Sequence, residues 1–152
     1  MYKTGVQFDA VIATNGKGHF GELTAMKTDD YHLGLNDKLM GQVNLVLIGQ
    51  RFINDSGSFT LTSGILSQDP IRFGSSASMV NGALDCFVKS AAIELPKYIR
   101  INSVSPTVIT ESMTDYADYF RGFEPVPAAR VALAYSKSVE GQQTGQVYRV
   151  GY

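Results

Sequence analysis

The chain has 152 residues, a formal net charge of −1 and 44% hydrophobic residues, values that suit one globular domain. With so little net charge, composition gives no electrostatic case for a nucleic acid or an anionic membrane as partner. The single cysteine, Cys86, excludes an internal disulfide, and no apolar run approaches the ~20 residues of a membrane span. We therefore expect one cytoplasmic domain over residues 1–152.

The first third of the chain contains one clear strand pattern and one ambiguous segment. The apolar run at 8–13 predicts a buried strand. The segment 29–53 carries an apolar stripe at helical spacing, which predicts one long helix, although 42–48 read by propensity would be a strand. The stripe consists of Leu35, Leu39, Val43, Val46 and Leu47.

The remainder predicts strands alternating with helices. The β-branched and aromatic run at 58–62 predicts a second strand. The segment 75–95 predicts a helix, because apolar residues recur at three- and four-residue steps and Asp85 and Lys89 form an i,i+4 pair on its solvent side. Further elements are predicted as a strand at 100–105, a helix at 127–139 opened by Pro127, and a strand at 146–150. This alternation predicts a mainly parallel sheet.

The glycines of GKGHFG, residues 16–21, have the G-x-G-x-x-G spacing of a dinucleotide-binding turn and directly follow the first strand. That fingerprint also needs a helix immediately after it, and residues 22–26 offer only a short one before a new N-cap at Thr28. We interpret the glycines as a loop. The alternative keeps the fingerprint, makes 42–48 the second strand and places its acidic residue near Asp55.

Several stretches occur together in one order along the chain: ATNG (13–16), SFTLTSGIL (58–66), the helix with Ala83–Leu84 and Glu94, and RINSVSP (100–106). In that order they resemble the short-chain dehydrogenase/reductase family. The resemblance implies an α/β fold, a Rossmann-like and mainly parallel sheet with flanking helices. The family's own glycine-rich turn, Thr-Gly-x-x-x-Gly-x-Gly, does not occur in the sequence. We therefore expect that the chain lacks the family's N-terminal β-α-β-α-β portion.

The resemblance implies hydride transfer between NADP or NAD and a small carbonyl or alcohol substrate, and it assigns candidate catalytic positions. The family's catalytic serine corresponds to Ser63, its lysine to Asn81 and its tyrosine to Ala77. The family's asparagine corresponds to Lys38, with Asn36 as the alternative. On this assignment lysine and asparagine have exchanged places, and a cation could still reach the cofactor ribose from a different helix. The phenol of the family's tyrosine has no replacement.

The same resemblance implies cofactor contacts at five positions, Asn15, Gly16, Pro106, Thr107 and Val108. Because the pyrophosphate-binding turn is absent, we expect weak or no dinucleotide binding by this chain. The alternatives to an oxidoreductase are a non-catalytic binding or scaffold protein of the same fold and an inactive fragment.

Three further expectations concern metals, the cleft and association. One cysteine and two histidines offer no cluster of metal ligands. Tyr116 and Tyr119 are expected to pack a flexible segment over the cleft, where either phenol is an alternative acid. An unpaired edge on the strand at 8–13 and apolar helix surfaces predict a homo-oligomer.

Overall fold

A computed structural model describes residues 7–152, and in it four parallel strands form one sheet in the order β1-β2-β3-β4. The strands are β1 (Phe8–Ile12), β2 (Ile53–Thr62), β3 (Arg100–Pro106) and β4 (Val147–Val150). Parallel neighbours require crossover connections, and helical segments supply them. The predicted α/β class with a mainly parallel sheet is confirmed.

The segment after β1 is helical over most of its length and contributes no strand. It comprises α1 (Thr28–Gly34), a π-helical turn (Leu35–Leu39) and α2 (Met40–Gly49), which follow one another without a break. The single long helix predicted over 29–53 is confirmed to Gly49, and the strand alternative at 42–48 is wrong. The other helices are α3 (Ser75–Ala91), the short α4 (Met113–Tyr116) and α5 (Ala128–Glu140).

Helices cover both faces of the sheet. On one face α2 and α3 pack over Phe59, Leu61 and Ile101 of the central strands, all of which are fully buried. On the other face α5 packs against Val104, and its Ser138 forms a buried hydrogen bond of 2.7 Å with Thr60 of β2. Because both faces are covered, the central strands consist mainly of buried residues, as expected for a parallel sheet.

Some boundaries and orientations differ from the sequence-based expectations. β2 begins at Ile53, five residues before the predicted start at Ser58, and α3 ends at Ala91 instead of Leu95. Leu47 of the predicted apolar stripe is 47% exposed. Asp85 is not on the solvent side of α3: only 4% of it is exposed. Periodicity identified these helices, but the packing partners decide which flank of each one is covered.

Within residues 7–152, β1 pairs only with β2 and therefore lies at an edge of the sheet. Its Val11 is buried and its Ile12 is 46% exposed. This position agrees with the unpaired edge predicted for the strand at 8–13. None of the described helices is long and apolar enough to cross a membrane.

Candidate functional site

The glycine-rich segment after β1 is a loop. Residues 13–27 contain a short turn but no helix, so no helix N-terminus lies behind the glycines to hold a pyrophosphate. Gly16 adopts a φ of +122°, and a Cβ built on it would lie 2.6 Å from the Cα, Cβ and Cγ atoms of Lys38. The dinucleotide fingerprint is therefore absent here, and Gly16 is needed for close approach to Lys38.

A cavity of about 390 Å³ opens at the carboxyl ends of β2 and β3, beside this loop. In open parallel sheets, ligands bind outside the carboxyl ends of the strands. The lining comes from the glycine loop, the π-helical turn, the end of β2 and the turn after it, α3 and the segment after β3, and it mixes polar and apolar side chains. The lining includes Gly16, Lys38, Ser63, Ala77, Asn81, Pro106, Thr107, Val108, Tyr116 and Phe120.

Three of the predicted site residues meet in this cavity. The ammonium group of Lys38 donates a hydrogen bond of 2.7 Å to Oδ1 of Asn81 and one of 3.1 Å to the backbone carbonyl of Ser63. Lys38 belongs to the π-helical turn, a local widening that is frequent at functional sites. The alternative Asn36 is exposed. Lys38 and Asn81, the positions expected to have exchanged lysine and asparagine, are therefore in direct contact in the lining of the cavity.

The cavity perturbs the protonation equilibrium of Lys38. Burial lowers the pKa of its amine from 10.5 to about 8, and the nearby carboxylate of Asp85 opposes part of this decrease. Desolvation disfavours the charged form of a lysine, whereas a neighbouring negative charge favours it. Here desolvation is the larger effect.

A chain of hydroxyl groups runs from Ser63 to the buried Asp85. The Ser103 hydroxyl lies within donor distance of both the Ser63 hydroxyl (3.1 Å) and a carboxylate oxygen of Asp85 (3.3 Å). Ser67 donates a hydrogen bond of 2.7 Å to the other carboxylate oxygen. The Ser103 hydroxyl carries one proton and therefore donates to only one of these two acceptors at a time. The Ser63 hydroxyl donates to no group among residues 7–152, so its proton is available to a ligand in the cavity.

Sequence reasoning missed Asp85 as a site residue, although a signal was present. Asp85 follows Asn81 by four residues and Ala77 by eight, so the three share one stripe of α3. Once Asn81 had been placed in the site, this spacing indicated that the next turn of the stripe also lay beneath it.

Gln42 was likewise not predicted, and it connects the ends of β1 and β2. Its side chain accepts a hydrogen bond of 2.8 Å from the backbone N–H of Thr62 and donates to the carbonyls of Thr62 and Asn15. Gln42 is fully buried. Its amide therefore holds the glycine loop against the end of β2, where Ser63 follows.

The five predicted cofactor positions do not all lie in the cavity. Gly16, Pro106, Thr107 and Val108 line it, whereas Asn15 is exposed and is absent from the lining. The Thr107 hydroxyl is buried and has no hydrogen-bond partner within residues 7–152. A buried hydroxyl without a partner is costly, so this group fits a polar ligand such as a carboxamide.

Aromatic side chains form one wall of the cavity. Tyr116 and Phe120 line it together with Phe20 of the glycine loop, and the Phe20 and Tyr116 ring centroids are 6.0 Å apart. Tyr119 packs on Phe20 with a distance of 5.5 Å between the ring centroids.

Among residues 7–152, no group of His, Cys, Asp and Glu side chains is arranged to hold a metal ion.

A family model described as enoyl-(acyl carrier protein) reductase matches residues 3–148, which is nearly the whole chain. The chain belongs to the short-chain dehydrogenase/reductase family. A comparison with curated proteins finds no match.

Several solved structures superpose closely on the chain. Protein lin1944 from Listeria innocua is 49% identical with a TM-score of 0.95, over 97% of this chain and 74% of that protein. A small-chain dehydrogenase in complex with NADPH is 25% identical with a TM-score of 0.86, over 98% of this chain and 74% of that protein. Another small-chain dehydrogenase is 26% identical with a TM-score of 0.83, over 98% of this chain and 71% of that protein.

Proposed function

We propose that the protein is an NAD(P)-dependent oxidoreductase that interconverts a small carbonyl compound and its alcohol. The observation that carries the proposal is the meeting of Ser63, Lys38 and Asn81 in one cavity at the carboxyl ends of the strands. When bound, a reduced nicotinamide supplies a hydride to a carbonyl carbon. The NADPH complex of the 25% identical dehydrogenase supports this choice of cofactor class.

The chain's own residues suit this role. Gly16 and the segment Pro106–Val108 offer backbone and the free Thr107 hydroxyl to the nicotinamide end of the cofactor. Ser63 has a hydroxyl proton to donate to the substrate oxygen, since this hydroxyl donates to no group among residues 7–152. The apolar and aromatic wall around Phe120 favours a hydrophobic body on the substrate.

Calorimetric titration with NADPH and NADH, followed by nucleotide oxidation in the presence of a panel of aldehydes and ketones, tests the proposal. Because the loop at 13–27 has no helix behind it, we expect a Kd for the dinucleotide in the millimolar range at best, which is a binding free energy of about 4 kcal/mol. Slow oxidation that depends on the carbonyl compound, and that is lost in Ser63→Ala, supports the proposal. No oxidation at saturating nucleotide contradicts it.

The second candidate is a non-catalytic binding protein of the same fold. The specific observation in its favour is Ala77, which offers a methyl group at the position of the family's catalytic tyrosine. Dinucleotide binding without turnover would favour this candidate over the oxidoreductase.

A further inference from the structure

The ammonium group of Lys38 has one position left for a ligand. Two of its three N–H groups donate to Asn81 and to the Ser63 carbonyl, and no third partner occurs within residues 7–152. Lys38 lines the cavity. In the neutral amine the same two bonds persist, because two N–H groups remain, and a lone pair takes the third position. One geometry therefore serves both protonation states.

The cavity has few other groups able to supply a proton. The phenol expected from the family is replaced by Ala77. The other titratable groups in the lining are Lys17 and Tyr116. Tyr116 is 37% exposed, and its ring packs on Phe20 and Phe120. Within residues 7–152 its phenol makes no hydrogen bond to Lys38. Lys38 differs from both because two acceptors hold its amine in place.

We propose that Lys38 is the catalytic acid and base that exchanges a proton with the oxygen of the carbonyl or alcohol substrate. This inference rests on the proposed function. In reduction, the substrate carbon would receive a hydride from a reduced nicotinamide, which would be oxidised, while an O–H bond forms at the substrate oxygen and an N–H bond of Lys38 breaks. The electron pair of that bond remains on the amine, which then regains a proton from water. Oxidation of the alcohol follows the same steps in reverse.

The electrostatics of the cavity agree with this role. Proton transfer at neutral pH is most efficient when the pKa of the donor is near the working pH, and burial brings the pKa of Lys38 to about 8. The Asp85 carboxylate of α3 raises this pKa, and the other titratable side chains that line the cavity are Lys17 of the glycine loop and Tyr116. Ser63 is the second donor for the same substrate oxygen.

The first test compares turnover and binding in variants of Lys38. Lys38→Arg keeps the positive charge but cannot give up its proton, and Lys38→Met removes both. We expect each to lower kcat by about 10²-fold or more with an unchanged Kd for NADPH, while the exposed Lys89→Met keeps the original kcat. The proposal would be overturned if Lys38→Arg retained the original kcat, or if the Lys38 variants lost only affinity for NADPH. It would also be overturned if kcat fell in Tyr116→Phe and not in the Lys38 variants.

The second test needs no cofactor and separates this proposal from the proposed function. A nitrophenol, whose ionised form absorbs visible light, is titrated into the chain below the pKa of the free phenol. We expect the bound phenol to ionise in the original chain and in Lys89→Met, and to remain neutral in Lys38→Met. If the original chain does not turn over, ionisation that depends on Lys38 supports the contact between its amine and the oxygen of a bound ligand, which the proton-transfer role requires. If ionisation does not depend on Lys38, the role is wrong.

Discussion

Raising the pH from 7 to 10 is expected to stabilise the original chain relative to Lys38→Met. Folding lowers the pKa of Lys38 from 10.5 to about 8. Between these values the unfolded chain holds a proton that the folded chain has released, so the free energy of unfolding rises with pH. The difference between the two pKa values corresponds to a gain of about 3 kcal/mol in the free energy of unfolding, because one pKa unit is worth about 1.4 kcal/mol. Below pH 8 the folded chain carries the full cost of the buried charge.

The assay is urea unfolding of both chains at several pH values, with the free energies taken from linear extrapolation. The difference between the two chains is the informative quantity. Tyr135, Tyr148 and Tyr152 also have pKa values raised by burial, and their effects on stability above pH 10 are common to both chains. If the two free energies change in parallel from pH 7 to pH 10, the amine of Lys38 is not desolvated and our account of the cavity is wrong.

Three further predictions concern stability and association. Asp85→Ala removes the acceptor of the Ser67 hydroxyl and one of the two acceptors within reach of the Ser103 hydroxyl. We therefore expect the free energy of unfolding in urea to fall by about 2–4 kcal/mol and the pKa of Lys38 to be lower in an NMR titration; unchanged values would contradict the burial of Asp85. Gly16→Ala places a Cβ against Lys38 at a left-handed φ, so we expect it to destabilise the fold by more than about 1 kcal/mol. The control Gly82→Ala in α3 meets no atom within 4 Å and is expected to stabilise the fold by up to about 1 kcal/mol. Equal shifts of the melting temperature in the two variants would refute the close contact between Gly16 and Lys38. We also propose that the chain self-associates through the edge of β1 or the exposed apolar residues of its helices, and a clean 16.5 kDa species in light scattering at high concentration would contradict this.

The order of strands and helices was readable from the sequence because each element carries its own local pattern. The stripe from Leu35 to Val46 predicted the long helix and favoured it over a strand at 42–48, which the structure then excluded. The short stretch at 22–26 and the family resemblance together favoured a loop over a dinucleotide turn at the G-x-G-x-x-G spacing, and the structure confirms the loop. The ordered motifs from residue 58 onward were enough to indicate the family, which the match over residues 3–148 confirms.

Tertiary structure decided which of these residues act together. The hydrogen bond between Lys38 and Asn81 joins residues 43 positions apart, and it exists because the π-helical turn and α3 pack against each other. Asp85 looked like a solvent-facing partner of Lys89, since helical spacing alone does not show which flank of α3 is covered. The lowered pKa of Lys38 arises from desolvation, which depends on the atoms around the amine and has no signature in the residues next to it in the chain.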